Sequence, residues 1–315
     1  MFRLIMTNLK YLTFEKLFLI GAAGSLFLGV RGGLTSRDYG FDMEFVIFAV
    51  LIIAAVALLN TGRENTDGTL RNKLTLGYSR NQIFASFMIS SLICSAVLYL
   101  LFSVPFFLVG KDTMTKYMSD ERLLLIWAVL LCVAVLVTVG SVCLTLCIPI
   151  LPVAAVALLA AAIGFAGLGG TLGHRLNEPS TNHAQVSAES LDDLTDTESN
   201  PPIYDEFTGC YMQNVEYPNE LYVDSPKRDI YFTLYFLDPY SQIDSVRNIM
   251  MMYFDTDVDK IMKEVEKDPE EYKDYTEGLG FHCLEMLGYY PIFSLGFSAV
   301  LFTAGLLVFR KRNIN

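Results

Sequence analysis

The sequence predicts an α-helical polytopic membrane protein: six transmembrane helices with both termini cytoplasmic, and a small α+β extracellular lobe between the fifth and sixth. Three observations predict it. Over 315 residues the chain is 53% hydrophobic and 18% charged, with a mean hydropathy of +0.40, a composition typical of membrane proteins. Six apolar runs, 12–30, 43–59, 83–109, 123–147, 148–172 and 286–309, approach or exceed the roughly 20 residues that one crossing needs. Charge is segregated: residues 174–285 hold 25 acidic and 8 basic residues, while the remainder holds 9 acidic and 15 basic.

Residues 1–13 form an amphipathic stretch ahead of the first run. That run is the weakest, since Glu15 and Lys16 leave only 17–30 purely apolar. A cleaved signal peptide is the alternative, but "LFLGVRGG" lacks an A-x-A-like site and further spans follow. The fourth and fifth spans come from one uncharged stretch, 123–173, divided by Pro149 and Pro152. Proline ends a helix and keeps its predecessor out of the α region, so "CIPILP" predicts a tight hairpin. The sixth span leads into a basic tail, 310–315.

Orientation follows from the basic residues. With the N-terminus inside, the cytoplasmic segments carry Arg3, Lys10, Lys16, Arg63, Arg71, Lys73, Arg80, Arg310, Lys311 and Arg312, against Arg31, Arg37, Lys111, Lys116 and Arg122 in the short outer loops. Segment 173–285, net acidic, then lies outside.

Within that outer domain, 177–200 is polar and acidic and predicts a flexible tether, because it holds too little apolar surface to offset the entropy of ordering. "RDIYFTLYF", 228–236, is aromatic and predicts a strand. "DVDKIMKEVEK" places Val258, Ile261, Met262 and Val265 at helical spacing. Cys94, Cys132, Cys143 and Cys147 fall within spans as small packing residues. Cys210 and Cys283 are a possible disulfide that compartment permits and spacing leaves open. Asp255, Asp257, Asp259 and Glu266 match positions 1, 3, 5 and 12 of a calcium loop. Lys260 stands where that loop needs glycine, which makes this a weak calcium candidate beside the alternative of a helix cap. No other metal site and no catalytic constellation is evident.

Energy for transport leaves marks, and most are missing. The one Gly-Lys pair, Gly110-Lys111, is followed by Asp112 and has Pro105 where a phosphate loop needs its first glycine. Spans three to six carry no charge, and Glu44, Glu15 and Lys16 sit at span edges as interfacial anchors. The chain is therefore expected to be no enzyme, to bind no cofactor, and to be driven by another protein. The largest inner surface is 61–82. There Leu70 and Leu74 are one helical turn apart with Arg71 and Lys73 beside them, Gly77 suits a left-handed stop, and Ser79 with Gln82 has capping-box spacing. This segment suits either a partner that pushes or a helix lying on membrane lipid.

"RENTDGTLRNKLTLGYSRNQI", with Glu64, Gly68, Thr69, Leu74, Gly77, Ser79 and Arg80, and the closing "AGLLVFRKRNI" resemble the permease subunits of the type-2 exporter branch of ATP-binding-cassette transporters. The resemblance covers most of the membrane part. It implies that 64–76 is a coupling helix docking on a separate ATPase subunit that carries ATP and magnesium, and that 1–13 is a connecting helix. It also implies a second permease chain, identical or homologous, and a bacterial plasma membrane. Glu64, Gly68, Thr69, Arg71, Lys73, Leu74, Gly77 and Arg80 become the coupling residues. Two departures stand out: Phe87 where members often carry lysine, and a longer outer segment.

The expected mechanism is alternating access, moving an amphipathic or hydrophobic peptide, antibiotic or lipid-like cargo outward. Gly164, Gly167, Gly169 and Gly170 are candidates for the pathway or, alternatively, for close helix packing. No nucleic-acid partner is expected. The alternatives are a sensor of extracellular peptide or antibiotic without flux, and a stand-alone channel or carrier.

Overall fold

The computed structural model describes residues 1–39, 44–188, 203–205, 210–255, 258–265, 267 and 279–312. Six helical segments are long and apolar enough to cross a membrane: Lys16–Arg37, Glu44–Thr66, Arg80–Tyr117, Asp120–Cys147, Leu151–Leu176 and Leu279–Lys311. This is the build of a multi-pass membrane protein.

Helix α1 (Phe2–Phe14) stops at Glu15, whose backbone is extended, and α2 (Lys16–Tyr39) starts at once. The charged pair that weakened the first span is the break between two helices, so the span begins at Lys16 rather than at residue 12. Helix α3 (Glu44–Thr66) is followed by the short α4 (Thr69–Thr75) and by α5 (Arg80–Tyr117). Helix α5 runs unbroken for 38 residues with Pro105 inside it. Helices α6 (Asp120–Cys147) and α7 (Leu151–Leu176) meet in the proline hairpin that the sequence predicts, with Pro152 in the first turn of α7. Helix α2 lies close along α5. A side chain at Gly29 would strike the Phe102 carbonyl, and one at Gly33 would lie 2.8 Å from that of Phe106.

Between α7 and the last long helix come β1 (Thr181–Ala188), β2 (Ile203–Asp205), β3 (Cys210–Pro218), α8 (Lys227–Leu237), α9 (Pro239–Asp255), α10 (Val258–Val265) and α11 (Leu279–Met286). A 3-10 turn, Leu287–Tyr289, leads into α12 (Tyr290–Lys311). The strands form an antiparallel sheet in the order β1-β3-β2, with Thr181 opposite Pro218 and Ala188 opposite Tyr211.

Two expectations are corrected here. Residues 181–188, read as tether, are a strand, because β3 supplies the ladder partners that the segment's own composition cannot replace; residues 189–200 lie outside the described residues. Residues 228–236 are helix α8, not a strand. Tyr231 and Phe232 pack against the core and Tyr235 and Phe236 are buried in it. A strand would send neighbours such as Tyr235 and Phe236 to opposite faces, whereas the i, i+1, i+4, i+5 set is one helical stripe.

The helices α8, α9 and α11 share one apolar core with the spans. It runs from Val56, Leu98 and Phe106 through Ile126 and Val129 to Leu172, Tyr235, Ile249, Cys283 and Tyr290. A second core at the other end joins Leu4, Leu70, Ile83, Phe84, Leu146 and Phe309. The expected disulfide between Cys210 and Cys283 is not formed, and the buried Cys283 thiol donates to Ser245 Oγ at 3.3 Å. Asp257 and Glu266 of the calcium constellation lie outside the described residues, and α10 occupies the helix expected there. Among the described residues no group of three or more His, Cys, Asp or Glu could hold a metal ion.

Candidate functional site

Two features stand out, one at each extreme of packing. The first is the end of the bundle that carries α4. Gly68, at φ 72°, starts α4. Its stop is a Schellman turn: Gly77 at φ 88° donates to the Leu74 carbonyl and Tyr78 to that of Lys73. Only two residues later Ser79 caps α5, its Oγ accepting from the Gln82 amide at 3.3 Å while Gln82 Oε1 accepts from the Ser79 amide at 3.0 Å. The expected stop and capping box are both present. The expected 64–76 helix is not continuous, because α3 extends to Thr66 and Gly68 breaks the chain, so Glu64 belongs to α3.

Lys73 does not lie beside Arg71 on the surface. It is buried, and its ammonium pairs with the equally buried Glu64, donates to Asn8 Oδ1 at 2.9 Å and lies 4.3 Å from the Phe87 ring centroid. Asn8 Nδ2 in turn donates to Ser86 Oγ at 3.3 Å. A buried charge persists only with such partners. With Leu70, which is 2% exposed, Lys73 fastens α4 to α1, α3 and α5.

Around this knot Asn65 Nδ2 donates to the Thr145 carbonyl at 2.6 Å, and Arg312 to the Leu146 carbonyl at 2.6 Å. Arg80 donates to the Arg310 carbonyl at 2.6 Å, and Arg310 Nε to Asn81 Oδ1 at 2.6 Å. Arg80 and Arg312 thus supply donors and positive charge to the C-terminal ends of α12 and α6. Arg63 on α3 pairs with Glu15 at the α1–α2 junction. Burial holds the Arg312 guanidinium below its usual range. What α4 leaves exposed is an edge of Arg71, Asn72, Thr75 and Leu76, the last 77% exposed, with Thr69 and Leu74 half-buried beside it.

The second feature is an apolar slot of about 660 Å³ between α3, α6, α7, α9 and α12, lined among others by Val50, Leu136, Gly140, Ala162, Phe297 and Leu301 and by no charged side chain. It exists because α7 touches the rest of the molecule near its two ends. The buried residues of α7 are Ala154, Gly169, Leu172 and Leu176. At its start Leu151 packs on Gly62. At its end Gly169 abuts Asp238 and Ser241, and Arg228 donates to the Leu176 carbonyl at 2.9 Å. Gly164, Gly167 and Gly170 face open space, so close packing applies to Gly169 alone of the four. Asp238 is buried above the slot, accepting from the Tyr240 amide at 3.1 Å and from Ser241 Oγ at 2.6 Å. Burial raises its carboxyl above the usual range despite those bonds.

Sequence reasoning missed Asn8, although the signal was present. Leu4, Asn8 and Leu12 are spaced at i, i+4 and i+8 and all three are buried, so Asn8 is a polar residue inside an apolar stripe. No family model matches the chain, and no curated protein or solved structure matches it.

Proposed function

We propose that this chain is the permease subunit of an ATP-binding-cassette exporter in a bacterial plasma membrane. In this reading the exposed edge of α4 docks on a separate ATPase subunit at the inner face. A second permease chain, identical or homologous, completes the pathway, and ATP and magnesium stay on the partner. The cargo is amphipathic or hydrophobic.

The observation that carries the reading is the mounting of α4. A seven-residue helix is too short to hold its shape alone, yet Lys73, Leu70, the Gly77 stop and the Ser79 cap tie it to three long helices and leave its other edge outward. That is what transmitting a push requires. Phe87 departs from the lysine often found there in the exporter permeases the chain resembles; here the nearby charge is Lys73 on α4, over the Phe87 ring.

The test is whether a neighbouring reading frame encodes a nucleotide-binding ATPase and whether this chain captures it. Arg71→Glu and Leu76→Asp are expected to lower capture about tenfold without unfolding the chain, and ATP-dependent flux in liposomes should need both proteins. Transport by the purified chain alone, or full capture by both variants, would overturn the reading. A sensor without flux is the second reading; the core shared by α8, α9 and α11 with the spans favours it, since a ligand on those helices would be felt by the bundle. Ligand binding with no ATP-driven flux would decide for the sensor.

A further inference from the structure

We infer that the slot between α3, α6, α7, α9 and α12 is a binding site for the hydrocarbon tail of an anionic membrane lipid, whose headgroup sits at the basic end of α12. The inference does not depend on the exporter reading. It concerns what this chain holds between its own helices.

Four observations carry it. The lining has no charged side chain, and its few polar groups are Cys143, Cys147 and Tyr240. The slot is long rather than round: its wall on α12 runs from Phe297 to Val308, about 16 Å at 1.5 Å per residue. It is held open, because α7 is fixed near both ends and no residue between Ala154 and Gly169 is buried. An apolar lining that opens toward the membrane is solvated best by hydrocarbon.

The fourth observation sets the polarity. Pro239, Tyr240 and Ile243 line one end. At the other end Cys147 and Val308 line the slot, and the Arg312 guanidinium lies within electrostatic reach of Cys147, with Arg310 and the exposed Lys311 adjacent in sequence. Basic residues at a membrane surface favour anionic lipid. Five elements of this one chain line the slot, and it opens sideways past α7, whose Leu159 and Ile163 are exposed, as entry of a lipid tail from the membrane requires.

The experiment uses the full chain in mixed-lipid vesicles with a photoactivatable group on the acyl tail of phosphatidylglycerol, and crosslinks are mapped by mass spectrometry. Labelling is expected to concentrate on the slot-facing residues of α7 and α12 and to saturate against unlabelled phosphatidylglycerol. Filling the slot by Gly140→Leu, or separately by Ala162→Phe, should lower that labelling about tenfold, as displacing two or more methylenes would, while labelling on the outer side of α2 is unchanged. Agreement between the two variants, each with an unchanged melting temperature, separates filling from unfolding. Lys311→Glu should cut the preference for phosphatidylglycerol over phosphatidylcholine about fivefold. Unsaturable labelling spread evenly over all outward apolar residues would mean surrounding lipid only and would overturn the site. Slot labelling indifferent to headgroup, or crosslinks from the slot residues to a second copy, would also overturn it.

Discussion

Helices α3 and α7 are of similar length and nearly equal hydropathy, 2.5 and 2.3 over their most apolar windows, yet 61% of one window is buried in the molecule and 6% of the other. Lipid is as apolar as leucine, so apolar content alone does not draw helices together in a membrane. What separates the two is how much of their length is packed: α3 buries residues from Val46 to Glu64, α7 only Ala154 and then Gly169, Leu172 and Leu176. Helix α3 finishes in Asn60, Thr61 and Glu64, all buried, and in Asn65, bonded to Thr145. Helix α7 offers alanine and glycine along its middle and finds partners near its ends. One helix is a pillar of the α4 mounting and the other a wall held off the bundle.

The sharpest way to break the contrast is at the pillar. Lys73→Ala leaves Glu64 buried and unpaired, and a loss of about 3–5 kcal/mol is expected in reversible unfolding in mild detergent. Adding Glu64→Gln should restore much of it, and a loss that stays the same would show that the pair is not the anchor. Next is Leu70→Ala, expected to cost about 2–4 kcal/mol through the cavity beneath α4. At the wall the contrast sharpens within two residues. Gly169→Leu would meet Asp238 and Ser241 and should cost roughly 1–3 kcal/mol, while Gly167→Leu, facing open space, should change stability by less than about 0.5 kcal/mol. Equal effects would remove the claim that α7 is held at its ends. Ser79→Ala should cost about 1 kcal/mol through the lost cap.

The smallest effect is in pH. Asp238 titrates above its unfolded value, so between the two values the folded chain holds a proton that the unfolded chain has released. Its contribution to stability is therefore present at low pH and declines as pH rises through that window. Melting temperatures across the acid range should show this decline, and Asp238→Asn should flatten it.

Local chemistry was legible in the sequence wherever it was self-contained. Pro149 and Pro152 mark the hairpin, Gly77 the stop of α4, and Ser79 with Gln82 the start of α5, each because the residue itself dictates the backbone. Legibility failed where a distant partner decides. Aromatic content made 228–236 resemble a strand; the structure buries the neighbours Tyr235 and Phe236 together, which a helix allows and a strand does not. The strand at 181–188 needs β3, some 30 residues on. Lys73 read as a surface cation because nothing in 61–82 reveals that Asn8 and Phe87 converge on it. The slot was invisible for a similar reason, since hydropathy reports how apolar α7 is and not how far it stands from its neighbours.

Helix α5 begins at Arg80, five residues after α4 ends at Thr75, and continues for 38 residues, about 57 Å at 1.5 Å per residue. This is nearly twice a hydrocarbon thickness of about 30 Å. Its foot is fixed beside the α4 mounting, and Pro105 lies inside it roughly two thirds of the way along. A tilt of only 5° at the foot would swing the far tip by about 5 Å, so a small displacement of a seven-residue helix becomes a side-chain-sized displacement on the opposite surface.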